Sequence, residues 1–290
     1  MKALIVGMGI GQLYHSVFSS LGYDIDTVDS ALDKNATFKT VDVITDNYDI
    51  AVICTPNFTH ELIARTIANK CKIVLIEKPG VQDSKCWSCL VADFPSTRFM
   101  MVKNNQYRDT IEQFKTLTDQ SHTVRVVWNN KNRIPHPGSW FTTKDLSFGG
   151  VSRDLIPHML SYYVTLTDYK KGNKLYVAAI QRHSLDSIID TDYGTVNKEG
   201  TYNVDDFCEF EFSNNNTKWI LSANWKDSKA DDVYISFETT SNTAKFVLGL
   251  CPEEAYKSMV ETAVKNLNND DFWREQFSQD IWIHKQIEKL

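Results

Sequence analysis

The chain has 290 residues, 42% hydrophobic and 23% charged, the balance of an ordinary globular protein long enough for two cores. Its net charge of −6 offers no basic field to draw nucleic acid or an anionic membrane. No apolar run reaches the ~18 residues of a membrane span, and the N-terminus lacks a signal-peptide pattern, so the expectation is a cytoplasmic protein without membrane or nucleic-acid partners.

In chain order, Lys2–Val6 is a short apolar run that ends in Gly7-Met8-Gly9-Ile10-Gly11-Gln12. Leu13, Val17, Phe18 and Leu21 follow at helical spacing, closed by Gly22. Strand, glycine turn and helix in that order are the context of a dinucleotide site. Glycines let the backbone approach a pyrophosphate, and the helix start supplies N–H groups and the positive end of its dipole. Gly7, Gly9, Ile10 and Gly11 are the candidate contacts, although the third glycine of the usual pattern falls on Gln12. A second strand, Asp24–Asp29, ends in an acid about 20 residues beyond the first glycine, the offset at which a carboxylate accepts the adenosine ribose hydroxyls. Asp29 there repels a 2′-phosphate, which favours NAD over NADP.

Residues 30–49 are short for a full crossover helix, so the sheet is expected to be trimmed at this point. Asp49–Cys54 is the next buried strand, followed by Thr55-Pro56-Asn57-Phe58-Thr59-His60 and a helix carrying Leu62, Ile63 and Ile67. Ile73–Ile76 is another, and it breaks into Glu77-Lys78-Pro79-Gly80. Charges at the carboxyl end of a buried parallel strand stand where open α/β sheets place ligands, and Pro79 limits the backbone of Lys78. An ordinary solvated strand exit is the plain alternative. Arg98–Val102 is counted as a sixth strand of a doubly wound parallel sheet. Cys86 and Cys89 fall i, i+3 on a helix behind Ser84; no second Cys pair or His pair joins them, so no metal site is expected.

After Lys103 the texture changes, which sets domains at 1–103 and 104–290. His122–Trp128 alternates as a strand, and a polar loop over 129–148 holds Arg133, His136 and Trp140. Gly149-Gly150 opens a helix over 151–163 on which Asp154 and His158 share a face at i, i+4. An acid beside a histidine fixes its tautomer and raises its basicity, as general-base work requires. The bland alternative is a helix-start acid and a satisfied histidine. Candidate strands at 174–181, 205–213, 217–224, 232–239 and 243–249 lack crossovers, so the second domain is an α+β unit with a large, mainly antiparallel open sheet. Residues 270–290 close as an amphipathic helix that can pack back across the boundary.

Taken together, the glycine turn with Asp29, Cys54-Thr-Pro-Asn-Phe-Thr-His60, Glu77-Lys-Pro79, Trp140, Gly149-Gly150 and Asp154-Leu-Ile-Pro-His158 resemble the glucose–fructose oxidoreductase / inositol dehydrogenase (Gfo/Idh/MocA) family over roughly residues 1–166. The resemblance implies a Rossmann domain and an open-sheet domain whose free face forms a homodimer or homotetramer. It implies NAD(P)-dependent oxidation or reduction of a sugar, cyclitol or related polyol. His158 would then exchange the hydroxyl proton, Asp154 would orient it, and Lys78 would hydrogen-bond the reacting oxygen. Thr55, Pro56, Asn57, His60, Glu77 and Lys78 would line the cofactor. Asn105, Arg133 and Trp140 join Lys78, Asp154 and His158 as candidate substrate contacts. Two other readings stay open: a sensing protein that binds dinucleotide without chemistry, and an NAD-dependent glycosidase-like member.

Overall fold

Short apolar runs closed by turns become parallel strands in the first third of the chain. The computed structural model describes residues 1–249 and 252–290. Strand β1 (Lys2–Val6) leads through the glycine turn into helix α1 (Gly11–Ser20), which buries Tyr14, Val17 and Phe18 and ends at Gly22 with φ +72°. Strand β2 (Asp24–Val28) follows, and residues 32–34 and 41–43 make only single 3₁₀ turns before β3 (Tyr48–Ile53). Next come α2 (His60–Ile67), β4 (Cys71–Ile76), α3 (Ser84–Asp93) and β5 (Arg98–Met101). The order β2-β1-β3-β4-β5, parallel throughout, is that of a Rossmann sheet. It has five strands rather than six: the five runs named in the sequence are its strands, and Arg98–Met101 is the fifth. The cap of α3 is Asp83, whose carboxylate accepts the Cys86 N–H, one residue before the expected Ser84.

The chain then builds a second unit. Helix α4 (Ile111–Gln120), β6 (Thr123–Asn129), α5 (Lys144–Ser147), α6 (Val151–Asp154) and α7 (Ile156–Leu166) precede β7 (Asn173–Ile180), β8 (Phe207–Asn214), β9 (Thr217–Asn224), β10 (Asp232–Glu238) and β11 (Thr243–Val247). They form a sheet in the order β11-β10-β6-β9-β8-β7, antiparallel except for the β6–β9 pair. Strand β8 shows why one face is packed: Cys208, Phe210 and Phe212 are buried while Glu209 and Glu211 point the other way. On the packed side Tyr163 of α7 stacks on Phe212 at 4.6 Å and meets Trp219 edge-on at 5.3 Å. The opposite face carries the ion pairs Glu211–Lys218 and Arg125–Glu238.

Helices α8 (Glu253–Lys265) and α9 (Asp270–Ile287) belong to the first unit, not the second. That unit consists of Met1–Tyr107 with Glu253–Glu288, and the second of Arg108–Pro252 with the last two residues. Compared with the 103/104 boundary, the division falls at 107/108, and residues 253–288 return to the first unit. Tyr256, Met259, Val260 and Ala263 of α8 join Ile5, Tyr14, Val17 and Phe18 in one core, with Tyr256 edge-on to Tyr14 at 5.3 Å. α9 lies along β5, where buried Asp280 accepts the Met101 N–H at 3.1 Å and pairs with the buried ammonium of Lys103. Burial pushes the Asp280 carboxyl up to about 6 against the pull of Lys103, and pulls the Lys103 ammonium down. No described helix is long and apolar enough to cross a membrane.

Candidate functional site

The first unit presents a built dinucleotide turn. Gly7 sits at φ +91°, and a Cβ there would stand 2.8 Å from the Cys54 carbonyl carbon and oxygen, so only glycine passes between β1 and the end of β3. A Cβ on Gly9 would meet nothing within 4 Å, which leaves its backbone open to approach. Gly11 answers the question raised by Gln12: its Cβ would come within 2.9 Å of Ile5, so Gly11 supplies the close helix–strand packing and Gln12 is exposed. No side chain caps α1, whose leading amides lie with Gly9 and the partly exposed Ile10 at the carboxyl end of β1. Asp29 stands just beyond β2, its Oδ2 accepting the Met8 N–H at 2.7 Å and its Oδ1 the Ala31 N–H at 2.9 Å. A carboxylate offers about four lone-pair sites, so it retains capacity for a ribose diol.

Thr55, Pro56 and Asn57 follow β3 as a half-buried turn. His60, expected to touch cofactor, is buried instead and braces two loops. Its Nδ1 lies 2.7 Å from the Gly80 carbonyl oxygen and its Nε2 2.7 Å from that of Thr55. Burial pulls its pKa down, and Lys78 adds to that, while the two carbonyls oppose both by favouring the imidazolium. Glu77 is likewise buried. Its Oε1 accepts the Tyr14 hydroxyl at 2.8 Å, its Oε2 the Lys78 N–H at 3.2 Å, and its carbonyl the Gly80 N–H at 2.9 Å. Lys78 itself is half-buried at the carboxyl end of β4. Gly80, at φ +85°, would put a Cβ 3.0 Å from the His284 ring of α9 and 3.3 Å from Trp87. Lys78 therefore sits in a turn tied at Glu77, Gly80 and His60, not in a loose strand exit.

Asn105 belongs to the first unit, buried on a 3₁₀ turn over Asn104–Tyr107.

In the second unit the expected single helix is broken. Asp154 ends α6 and His158 is the third residue of α7, with Leu155 between them at φ −102°. Pro157 explains the break: it has no N–H to give to the Arg153 carbonyl, and it restricts Ile156. The start of α6 is held by a residue the sequence did not mark. Asp205 Oδ1 accepts the Gly150 N–H at 2.9 Å and the Ser152 hydroxyl at 2.8 Å, and its Oδ2 the Ser152 N–H at 2.7 Å. The glycine pair admits it, since a Cβ on Gly150 would fall 1.7 Å from the Asp205 carbonyl oxygen. Trp225 carries no motif signal either, and its indole N–H donates to Asp154 Oδ2 at 3.0 Å. His158 stacks on Trp128 of β6 with ring centres 5.6 Å apart. Arg133 donates its N–H to the Trp225 carbonyl at 2.7 Å and lies over the Tyr193 ring at 5.9 Å. Trp140 stacks on Phe141 at 3.8 Å.

Residues 1–92 match the oxidoreductase family with an NAD-binding Rossmann fold, Gfo/Idh/MocA. Over these residues the chain is similar to a Gfo/Idh/MocA-type NAD-binding domain. Its glycine turn, uncapped helix start and Asp29 fit the pyrophosphate and ribose of that cofactor. An Amycolatopsis mediterranei (strain S699) protein named "Putative UDP-kanosamine synthase oxidoreductase subunit" is 28% identical over 116 residues, 39% of this chain and 32% of its own length. The chain thus matches about a third of that curated relative. Among solved structures, GenD2 from gentamicin A biosynthesis, crystallised with NAD, aligns with a TM-score of 0.74 at 14% identity, over 100% of this chain and 94% of its own. A myo-inositol dehydrogenase from Corynebacterium glutamicum aligns at 0.69 and 14% identity, over 100% and 94%. A scyllo-inositol dehydrogenase from Lactobacillus casei aligns at 0.66 and 16%, over 100% and 96%. At these identities the likeness is one of fold, and it extends over both units beyond the Gfo/Idh/MocA-type domain.

Proposed function

We propose that this protein is an NAD-dependent dehydrogenase that oxidises or reduces a carbinol of a sugar, cyclitol or related polyol. When bound, NAD supplies the hydride acceptor. His158 takes the hydroxyl proton, Asp154 orients His158 and holds a neighbouring hydroxyl, and Lys78 hydrogen-bonds the reacting oxygen as alkoxide charge develops. Gly7, Gly9, Ile10 and Gly11 receive the pyrophosphate, Asp29 the ribose, and Thr55, Pro56 and Asn57 the nicotinamide half. His60 and Glu77 serve this site from behind, by fixing the turn that carries Lys78. Arg133, Trp140 and Asn105 are assigned to substrate recognition.

The observation that carries the reading is the braced Lys78 turn at the carboxyl end of β4, in the same unit as the Gfo/Idh/MocA-type glycine turn. A lysine whose backbone turn is fixed by Glu77, Gly80 and His60 suits a preorganised electrostatic role better than one on a loose strand exit does. The names of the relatives, inositol dehydrogenases, a UDP-kanosamine synthase oxidoreductase subunit and a protein of gentamicin A biosynthesis, support a polyhydroxylated substrate. Asp29 favours NAD over NADP, and the open face of the second sheet is the surface proposed for a homodimer or homotetramer. A panel of sugars, inositols and nucleotide sugars scored by NADH absorbance tests the function. Turnover of one class is expected; NAD binding without turnover of any would overturn the dehydrogenase in favour of a sensing protein.

A further inference from the structure

We infer that Trp225 is a positioning residue for Asp154: its indole N–H holds that carboxylate in its ionised, aimed state, while Asp205 holds the backbone of the turn that carries it. The inference deepens the dehydrogenase reading and rests on it for the use made of Asp154.

Two features set Trp225 apart from a tryptophan that only packs. The first is its hydrogen bond. Trp87 and Trp219 are also fully buried, and their indole nitrogens have no partner among the described residues. The buried Trp273 gives its indole N–H to the Asn266 carbonyl at 2.8 Å, whereas that of Trp225 reaches a carboxylate, Asp154 Oδ2, at 3.0 Å. The second is how firmly its main chain is held. Its N–H donates to the Asp206 carbonyl at 3.1 Å, and its carbonyl accepts the Arg133 N–H at 2.7 Å.

Asp206 is fixed in turn. It accepts the N–H groups of Arg182 and His183 at 2.9 and 3.0 Å and the Tyr202 hydroxyl at 2.8 Å, and the His183 Nδ1 lies 3.0 Å away. The neighbouring Asp205 clamps Gly150 and Ser152 at the start of α6. One dipeptide, Asp205-Asp206, thus sets both the helical turn bearing Asp154 and the tryptophan that meets its carboxylate. A donor aimed at a carboxylate favours the charged form and fixes the direction of its oxygens. An acid whose role is to orient a histidine needs both.

The test has an arm that needs no substrate. In the ¹⁵N–¹H spectrum of the folded chain, the Trp225 indole resonance, assigned through its NOE contacts, should move with pH on a single titration, and Asp154→Asn should abolish that movement. Trp225→Phe keeps the ring packing and removes the donor, so the ¹³C-labelled Asp154 carboxyl should titrate at higher pH in it than in the wild type. With a substrate from the panel, Trp225→Phe should lower kcat about tenfold, the scale of one hydrogen bond to a charged group, with KM little changed and the acidic limb of the kcat profile moved to higher pH. Asp205→Asn should act in the same direction. An indole resonance indifferent to Asp154, or a Trp225→Phe enzyme with wild-type kcat and pH profile, would overturn the inference. Absence of turnover in the wild type would instead strike the dehydrogenase reading, with the two NMR titrations still deciding whether the indole holds Asp154.

Discussion

The turn carrying Lys78 and the turn carrying Asp154 are held in contrasting ways. Lys78 is fixed largely by its own neighbourhood: Glu77 beside it, Gly80 two residues on, and His60 20 positions from Gly80. The turn of Asp154 is fixed from far along the chain, by Asp205 on Gly150 across 55 positions and by Trp225 on Asp154 itself across 71. In the first case a local motif contains its own scaffold. In the second the scaffold assembles only when β8 and β9 are in place. The lesson is that two residues equally visible as motif members can differ entirely in what secures them.

The largest effect should come where the first unit also depends on a remote partner. Asp280→Leu leaves the Lys103 ammonium buried without its counter-charge and the Met101 N–H without an acceptor, and should destabilise the protein by about 3–5 kcal/mol in urea unfolding. Lys103→Met with Asp280→Leu should recover most of that. The pH dependence has a definite sign. Asp280 is raised to about 6 in the folded protein, so the stability it contributes is complete below about 4, its unfolded range, and is lost as pH rises through 6. Melting temperatures between pH 4 and 7 should show that loss in the wild type relative to the double variant.

Lys78→Met tests whether the locally braced turn serves chemistry. Turnover should fall on the order of 10²–10³ with NAD affinity nearly intact, whereas a solvated charge would change stability by about 0.5 kcal/mol or less and leave activity alone. Its counterpart on the remotely held side is Gly150→Ala. The new methyl falls on the Asp205 carbonyl, and the cost should be about 1–3 kcal/mol by denaturant titration. The smallest effect belongs to Asp29→Ala, which should weaken NAD by about tenfold, as for one lost charge-assisted hydrogen bond, and narrow its advantage over NADP. Fluorescence titration of both cofactors measures it, and tighter NADP binding by the wild type would contradict the preference.

This contrast also explains what the sequence revealed. Strands β1, β3, β4 and β5 were readable as short, mostly apolar runs and β2 as the stretch ending in Asp29, and the glycine turn and Glu77-Lys78-Pro79-Gly80 because their residues are adjacent. The C-terminal strands came through from their alternation. Asp205 and Trp225 carried no local signal, since an acid before a strand and a tryptophan after one are ordinary. His60 was visible as a motif member, but only its burial between two carbonyls shows that it braces the loops. The helix break at Leu155 is legible in Pro157, which overrides the i, i+4 spacing of Asp154 and His158. The closing amphipathic helix, able to pack back across the boundary, is legible, whereas the return of α8 to its place beside Tyr14, Val17 and Phe18 rests on contacts that no sequence window contains.

That return has a consequence for how the protein is made. β5 is the outer strand of the parallel sheet, and the Met101 amide on it finds its acceptor only on α9. A ribosome finishes the five strands long before it reaches Asp280, so through some 180 further codons the nascent chain carries an incomplete domain with a raw sheet edge. Fragments ending near residue 107 should accordingly be recovered as aggregates, and a split version should need the 253–288 segment supplied in trans before its N-terminal half becomes tractable.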